Sequence, residues 1–353
     1  MKTIDFASRS PILAMEGKTI YASNGNVVLV YNLSLPEIHS LSETDFEELH
    51  ATWFQALKSL PIGTIIHKQD TYRKKAFDAS TLPQTSFLEK ATAVHFEGRE
   101  YMEHQSQLYF ILAHNKGMQQ SKYCNPFLKV PKALPTEQDE RLQNFVQNVT
   151  DAINYLNNSR KFSLQPMRPE TFDANTRDYF NGFAEDVDTD ILLGNKGVQV
   201  GDHHFEMLAI NSEFCFGENV QSSISNPAYT SDAFNFHQGF IDGLGLTLEE
   251  DHIVNQILYL DDKQKWRKLL DKKIEELQKS SNFGSQNKVV LEKVSEIRDH
   301  INQDDQSRVI RGHFNIIYWQ KEKSQLESVA SKIKATLKEL DILPYYPRGA
   351  ERI

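Results

Sequence analysis

Residues Lys18 to Leu33 read KTIYASNGNVVLVYNL. Two runs rich in β-branched and aromatic residues, Lys18 to Ser23 and Asn26 to Leu33, flank Asn24-Gly25. Such runs suit the pleated, half-buried surface of a strand. Asn-Gly between them signals a hairpin whose two turn positions adopt positive φ. The reading decides the fold class, because Glu16-Gly17-Lys18-Thr19 just upstream matches the tail of a phosphate-binding loop. Such a loop needs an earlier glycine, at the position held here by Ile12, and a helix after it. A strand follows instead. The chain is expected to begin with a β-hairpin, with no nucleotide bound at this stretch.

Working outward, Ser42-Glu43-Thr44-Asp45 reads as a capping box opening a helix. Phe46, Leu49, Trp53, Leu57 and Leu60 then fall on one helical face, and Pro61 and Gly63 end it. Thr64 to Tyr72 reads as a strand, Ser86 to Phe96 as a helix and Gln107 to Ala113 as a strand. Thr136 to Asp139 opens a further helix with a core face of Leu142, Phe145, Val149, Ile153 and Leu156. These elements form an N-terminal α+β domain over residues 1–160, a sandwich of helices on a sheet.

Lys161 to Pro169 reads as a connector to a second α+β domain over residues 161–353. Pro169 to Phe180 is a candidate helix, and His204 to Ile210 and His252 to Leu260 are candidate strands. Gly217 to Gly245 resists assignment. Residues 261–303 shift to charged helix and read as a helical hairpin. Its expected seam is Trp266, Leu269, Leu270, Ile274 and Leu277 against Val290, Val294, Ile297 and Ile301. Ile310 to Trp319 is a late strand and Lys321 to Leu340 a final amphipathic helix. The fold class is thus mixed α+β.

Composition narrows the function. The 353 residues are 39% hydrophobic and 25% charged, and the net charge of -9 argues against a general nucleic-acid binder. Cys124 and Cys215 form no CxxC pair, which excludes a zinc knuckle or thioredoxin motif and leaves reduced thiols as the expectation. The N-terminal stretch MKTIDFASRSPILAM lacks the apolar core of a secretion signal. No run approaches the roughly 18 apolar residues of a membrane helix.

Several polar stretches are candidate sites. His67-Lys68-Gln69-Asp70 is the densest polar run on a candidate strand, either a binding edge or a solvated strand end. Arg73-Lys74-Lys75 reads as a surface turn. Lys263, Lys265, Arg267 and Lys268 make one helical arm cationic, either for a phosphate backbone or acidic partner or as an exposed helix face. Asp261-Asp262 after an apolar strand looks like a magnesium-binding strand end, yet equally suits a helix N-terminus. Asp202-His203-His204 suggests a metal-dependent hydrolase, but adjacent strand residues face opposite ways and spacing offers no third ligand. No catalytic, cofactor-binding or metal residue is assigned.

Six phrases in order are LPEIHSLS from Leu35, HKQDTY from His67, TSFLEKATAVHFEGREYMEHQSQLYF from Thr85, DHIVNQILYLDD from Asp251, RGHFNIIYW from Arg311 and LPYYP from Leu343. Together they resemble the N-terminal region of the TraG-type conjugation ATPases of Bacteroidetes, the energising ATPases of type IV secretion in conjugative transposons. The resemblance implies an assembly or docking module ahead of a motor domain that lies outside this chain. ATP and Mg²⁺ would belong to that motor, with no cofactor in this chain. It implies as partners the inner-membrane subunits of the conjugation channel, the chain's own motor domain and a homo-oligomer. DNA is not expected as a direct partner. The implied location is cytoplasmic and peripheral at the inner membrane. The alternatives are a free-standing metal-dependent hydrolase and a DNA-contacting module of the same machinery.

Overall fold

A computed structural model describes residues 10–37, 41–113, 139–184, 190–194, 197–211, 215–217, 223–224, 236–237, 243–280, 285–303 and 308–347. The chain opens with β1 (Ile12–Glu16), β2 (Thr19–Ala22) and β3 (Val27–Ser34), an antiparallel meander. Gly17-Lys18 is the tight turn between β1 and β2, with Gly17 at φ 59 and Glu16 opposite Thr19. The stretch that mimics a phosphate loop is therefore a strand–turn–strand. The Asn24-Gly25 turn differs from the expected two-residue type. Gly25 alone has positive φ, its N–H donates to the Ala22 carbonyl at 2.9 Å, and the Ala22 N–H donates to the Asn26 carbonyl at 2.9 Å. That is a three-residue loop closed by a left-handed glycine, a geometry the dipeptide serves equally well.

Next come α1 (Glu43–Ser59), β4 (Thr64–Ala76), α2 (Phe87–Phe96), β5 (Glu100–Leu112) and α3 (Glu140–Asn158). Ser42 and Asp45 form the expected capping box on α1, and Ser86 with Glu89 forms another on α2. The described cap of α3 is Asp139, whose side chain accepts from the Arg141 N–H; Thr136 lies outside the described residues. The expected connector contains β6 (Ser163–Pro166), which pairs with β3. Then follow α4 (Pro169–Phe180), β7 (Ile191–Gly194), β8 (Gly197–Val200), β9 (His203–Ile210), the short pair β10 (Ser223–Ile224) and β11 (Phe236–His237), and α5 (Gly243–Thr247). The chain continues through β12 (His252–Asp261), α6 (Lys263–Ser280), α7 (Ser285–Gln303), β13 (Val309–Gln320) and α8 (Leu326–Glu339).

One antiparallel sheet of eleven strands runs β1-β2-β3-β5-β4-β12-β13-β9-β8-β7, with β6 beside β3. It passes through both halves of the sequence without a break, because β4 pairs with β12 from Ile65↔Tyr259 to Tyr72↔His252. Strand alternation then divides the side chains between two faces. On the first face, Leu29, Tyr31, Ile66, Leu108 and Phe110 pack under α1 and α3 with Leu57, Phe145, Val149 and Leu156. Further along that face, Leu208, Val254, Ile316 and Tyr318 pack under α8 with Val329, Ile333 and Leu337. On the second face, α4 covers Val30 through Phe172.

The β4–β5 pair is longer than its neighbours. Its register continues to Ala76↔Glu100, whereas β12 covers β4 only as far as Tyr72 and β3 covers β5 only from Ser106. The surplus forms a two-stranded ribbon, and α2 sits in the connection at its end. The hairpin of α6 and α7 forms as expected, with Leu270, Ile274 and Leu277 buried. The expected seam needs correction. Leu269, Val290 and Ile297 are exposed, whereas Val294 and Ile301 are half-buried as expected, joined by Leu291.

Candidate functional site

The HKQD run is divided by the pleat. Lys68 and Asp70 lie on the first face; His67 and Gln69 lie on the second. Asp70 is buried and bound by Lys68 and by His104 Nε2 at 2.9 Å. Burial acts to raise its pKa, but the Lys68 charge and the His104 hydrogen bond outweigh this and hold it at about 2. Next to this pair, Tyr72 stacks between His104 and His252, with ring centroids 4.4 and 4.5 Å apart. His252 is fully buried, which lowers its pKa to about 4 although its Nδ1–H donates to the Glu250 carbonyl at 2.7 Å. The run is thus an internal clamp rather than a solvated strand end.

On the second face the register aligns amide side chains in a single row. Gln165 lies opposite Asn32, Asn32 opposite Gln107, Gln107 opposite Gln69, Gln69 opposite Asn255 and Asn255 opposite Asn315. Asn255 is the hub. Its Oδ1 accepts from His67 Nε2 at 2.8 Å and from Gln69 Nε2 at 3.0 Å, and its Nδ2 donates to Asn315 Oδ1 at 2.8 Å. Asn315 Nδ2 donates in turn to His313 Nε2 at 3.3 Å. Burial lowers the pKa of both His67 and His313, so both act as neutral rings. Tyr109 closes the network by donating to Gln107 and stacking on His67. Sequence reading missed the row because each amide stands alone in its own strand, and only the register brings them together.

The cationic arm begins at a structural anchor. Asp261 is buried, accepts from Trp266 Nε1 at 2.8 Å and pairs with Arg311 Nε at 2.9 Å. Asp262 caps α6 by accepting from the Gln264 N–H at 2.8 Å. Asp261 thereby ties the hairpin to the sheet, and Asp262 caps its first helix. Lys265 and Lys268 are exposed, while Lys263 and Arg267 are half-buried. Lys265 reaches back to Asp261 at 3.8 Å. These cations are therefore far from His67, Lys68 and Asp70 in the chain and serve a separate element.

Two helical surfaces leave large apolar side chains outside. On α2, Phe87, Leu88 and Val94 are 87%, 74% and 82% exposed. With Ala91, also exposed, they form one stripe at helical spacing. On the hairpin, Leu269, Val289 and Ile297 are each about half exposed.

The Asp202-His203-His204 motif is also split. Register puts His203 on the second face with Val200 and His204 on the first with Gln320. His203 Nδ1 bonds the Gly182 carbonyl at 2.8 Å, and Asp202 pairs with Lys321 at 3.2 Å. Gly182, at φ 63, ends α4 in a Schellman turn, with Phe183 N–H donating to the Asp178 carbonyl at 2.8 Å and Gly182 N–H to the Tyr179 carbonyl at 3.1 Å. A Cβ on Gly182 would meet Val200 Cβ at 2.7 Å. The turn delivers Phe183 onto Trp319, with centroids 4.8 Å apart, and Arg73 lies over the outer side of the Phe183 ring. The histidine motif is therefore a strut, and Arg73 is part of this aromatic corner rather than of a free basic turn. Among the described residues no three His, Cys, Asp or Glu side chains gather as metal ligands. Cys215 is free and buried; Cys124 lies outside the described residues.

Residues 1–51 match the model of a family described as "Domain of unknown function, B. Theta Gene description (DUF3875)". That span carries the β1–β3 meander and the first part of α1. No curated protein matches the chain. Among the described residues no helix is long and apolar enough to cross a membrane.

Proposed function

We propose that this chain is a docking module of a conjugative-transfer ATPase, seating a motor domain against inner-membrane subunits of a type IV secretion channel without hydrolysing ATP itself. The observation that carries the reading is α2, a capped helix held at the end of a two-stranded ribbon with Phe87, Leu88 and Val94 turned outward. A contiguous exposed apolar stripe on a fixed support is the form a protein-binding surface takes. The ordered phrases that resemble the TraG-type N-terminal region supply the identity of the partner, and a peripheral position on the inner membrane follows from it. By that resemblance, motor and nucleotide chemistry belong to a motor domain and not to the residues of this chain.

The test is co-purification with the channel's membrane subunits in mild detergent, comparing the wild-type chain with Phe87→Asp/Leu88→Asp. Capture by the wild type and its loss in the variant, with the variant's unfolding midpoint unchanged, is the expected result. Equal capture by both, or none by either, contradicts the proposal. A second reading draws on the surplus of lysine and arginine on α6, which suits a phosphate backbone. It requires salt-dependent DNA binding that disappears when Lys263, Lys265, Arg267 and Lys268 are neutralised.

A further inference from the structure

The corner built by the Schellman turn shapes a pocket that stays open on one side. A cavity of about 270 Å³ lies between the end of α4, the β7–β9 edge and the second face of β12 and β13. Its walls include Phe180, Phe183, Phe205, Ile253 and Ile317. Phe183 and Phe205 are backed by Trp319, at 4.8 and 5.3 Å between ring centroids. Ile191 marks the rim at 37% exposed. The walls are held from outside by the His203 bond to Gly182 and by the close approach of Gly182 to Val200.

Apolar walls open to solvent are stabilised when an apolar guest covers them and removes their surface from water. A concave, mostly apolar pocket with aromatic walls is the ordinary form of a small-molecule site. Scaling from an apolar cavity of about 150 Å³ that holds benzene, this one takes roughly ten non-hydrogen atoms. Charge sets the class further. Glu206 turns its carboxylate to the first face, where it accepts from Tyr318 OH at 2.9 Å, so among the described lining residues no charged side chain faces the cavity. An ionic guest would lose its hydration on entry with no opposite charge to replace it.

The geometry points to a binding site for a small, uncharged, hydrophobic ring compound between α4 and the β9–β13 face. The site is independent of the α2 surface and of the docking role.

The test uses the full chain with isoleucine δ1 methyls labelled for NMR, and indole as the probe. Saturable shifts confined to Ile191, Ile253 and Ile317 are expected. Val198→Phe, which fills the cavity from β8, is expected to abolish those shifts and raise the unfolding midpoint. Ile191→Trp at the rim is expected to weaken binding while leaving the fold intact, which covers the case in which the larger β8 side chain is not tolerated. Indole-3-carboxamide should bind about tenfold more tightly than indole-3-carboxylate of the same shape, since the carboxylate must be desolvated among apolar walls. Absence of saturable shifts in the wild type, or the same shifts persisting in both variants, overturns the site. Equal binding of amide and carboxylate overturns the assigned ligand class.

Discussion

Asp70, His252 and Asn255 are polar side chains inside a sheet, and each is kept there by named partners. A buried carboxylate is tolerable because Lys68 and His104 compensate its lost hydration. His252 is tolerated in a different way, by staying neutral. Its folded pKa of about 4 lies below the usual value near 6.5 because burial penalises the cation. The neutral ring therefore contributes stability in full above about pH 6.5, and that contribution is lost as pH falls toward 4. Asp70, His104 and Glu250 face the same ring, but Asp70 titrates at about 2, below this window. His252→Phe keeps an aromatic ring against Tyr72 and removes the titration. Urea midpoints measured between about pH 7 and 4.5 should fall less in the variant than in the wild type. An equal fall would show that other groups carry the acid sensitivity. None of this was legible in HKQD or DHIV as strings, because the clamp joins β4, β5 and β12 through register rather than through spacing.

The helices show how far local rules reach. Ser42 and Ser86 cap their helices through boxes whose residues are adjacent in sequence, and so these starts could be read directly. The buried face of α3 was equally legible, since one sheet face meets one helix stripe. The α6–α7 seam was less so. Both arms carry apolar residues on more than one side, and only the pairing decides which side is inside. Leu277 is buried between the arms and Leu269 is not. Leu277→Ala should therefore cost about 2–3 kcal/mol of unfolding free energy and Leu269→Ala less than about 0.5 kcal/mol. Equal effects in denaturant titrations would contradict the seam described here. On α2 the same reasoning runs outward. Its caps and propensity form the helix, yet Phe87, Leu88 and Val94 stay largely exposed among the described residues, and the proposed docking role rests on that exposure.

Across the whole molecule, the sheet is the organising feature. A boundary near residue 160 is natural in sequence, where composition and regularity change, but β4 pairs with β12 and β6 returns to β3. Strand partners separated by so much chain leave no local signature, which is why strands were legible and their order was not. The amide row has the same origin, with six side chains on six strands aligned by antiparallel register. That broad sheet gives the β4–β5 ribbon a rigid base, and the ribbon holds α2 clear of the helices that pack on the sheet. The central claim is that α2 is the docking surface. It is tested most directly by hydrogen–deuterium exchange of the chain alone and with the channel's membrane subunits. The account predicts that the amides of Phe87–Phe96 slow on addition of the subunits while those of α3 do not change. Unchanged exchange in α2, with protection elsewhere or nowhere, would contradict it.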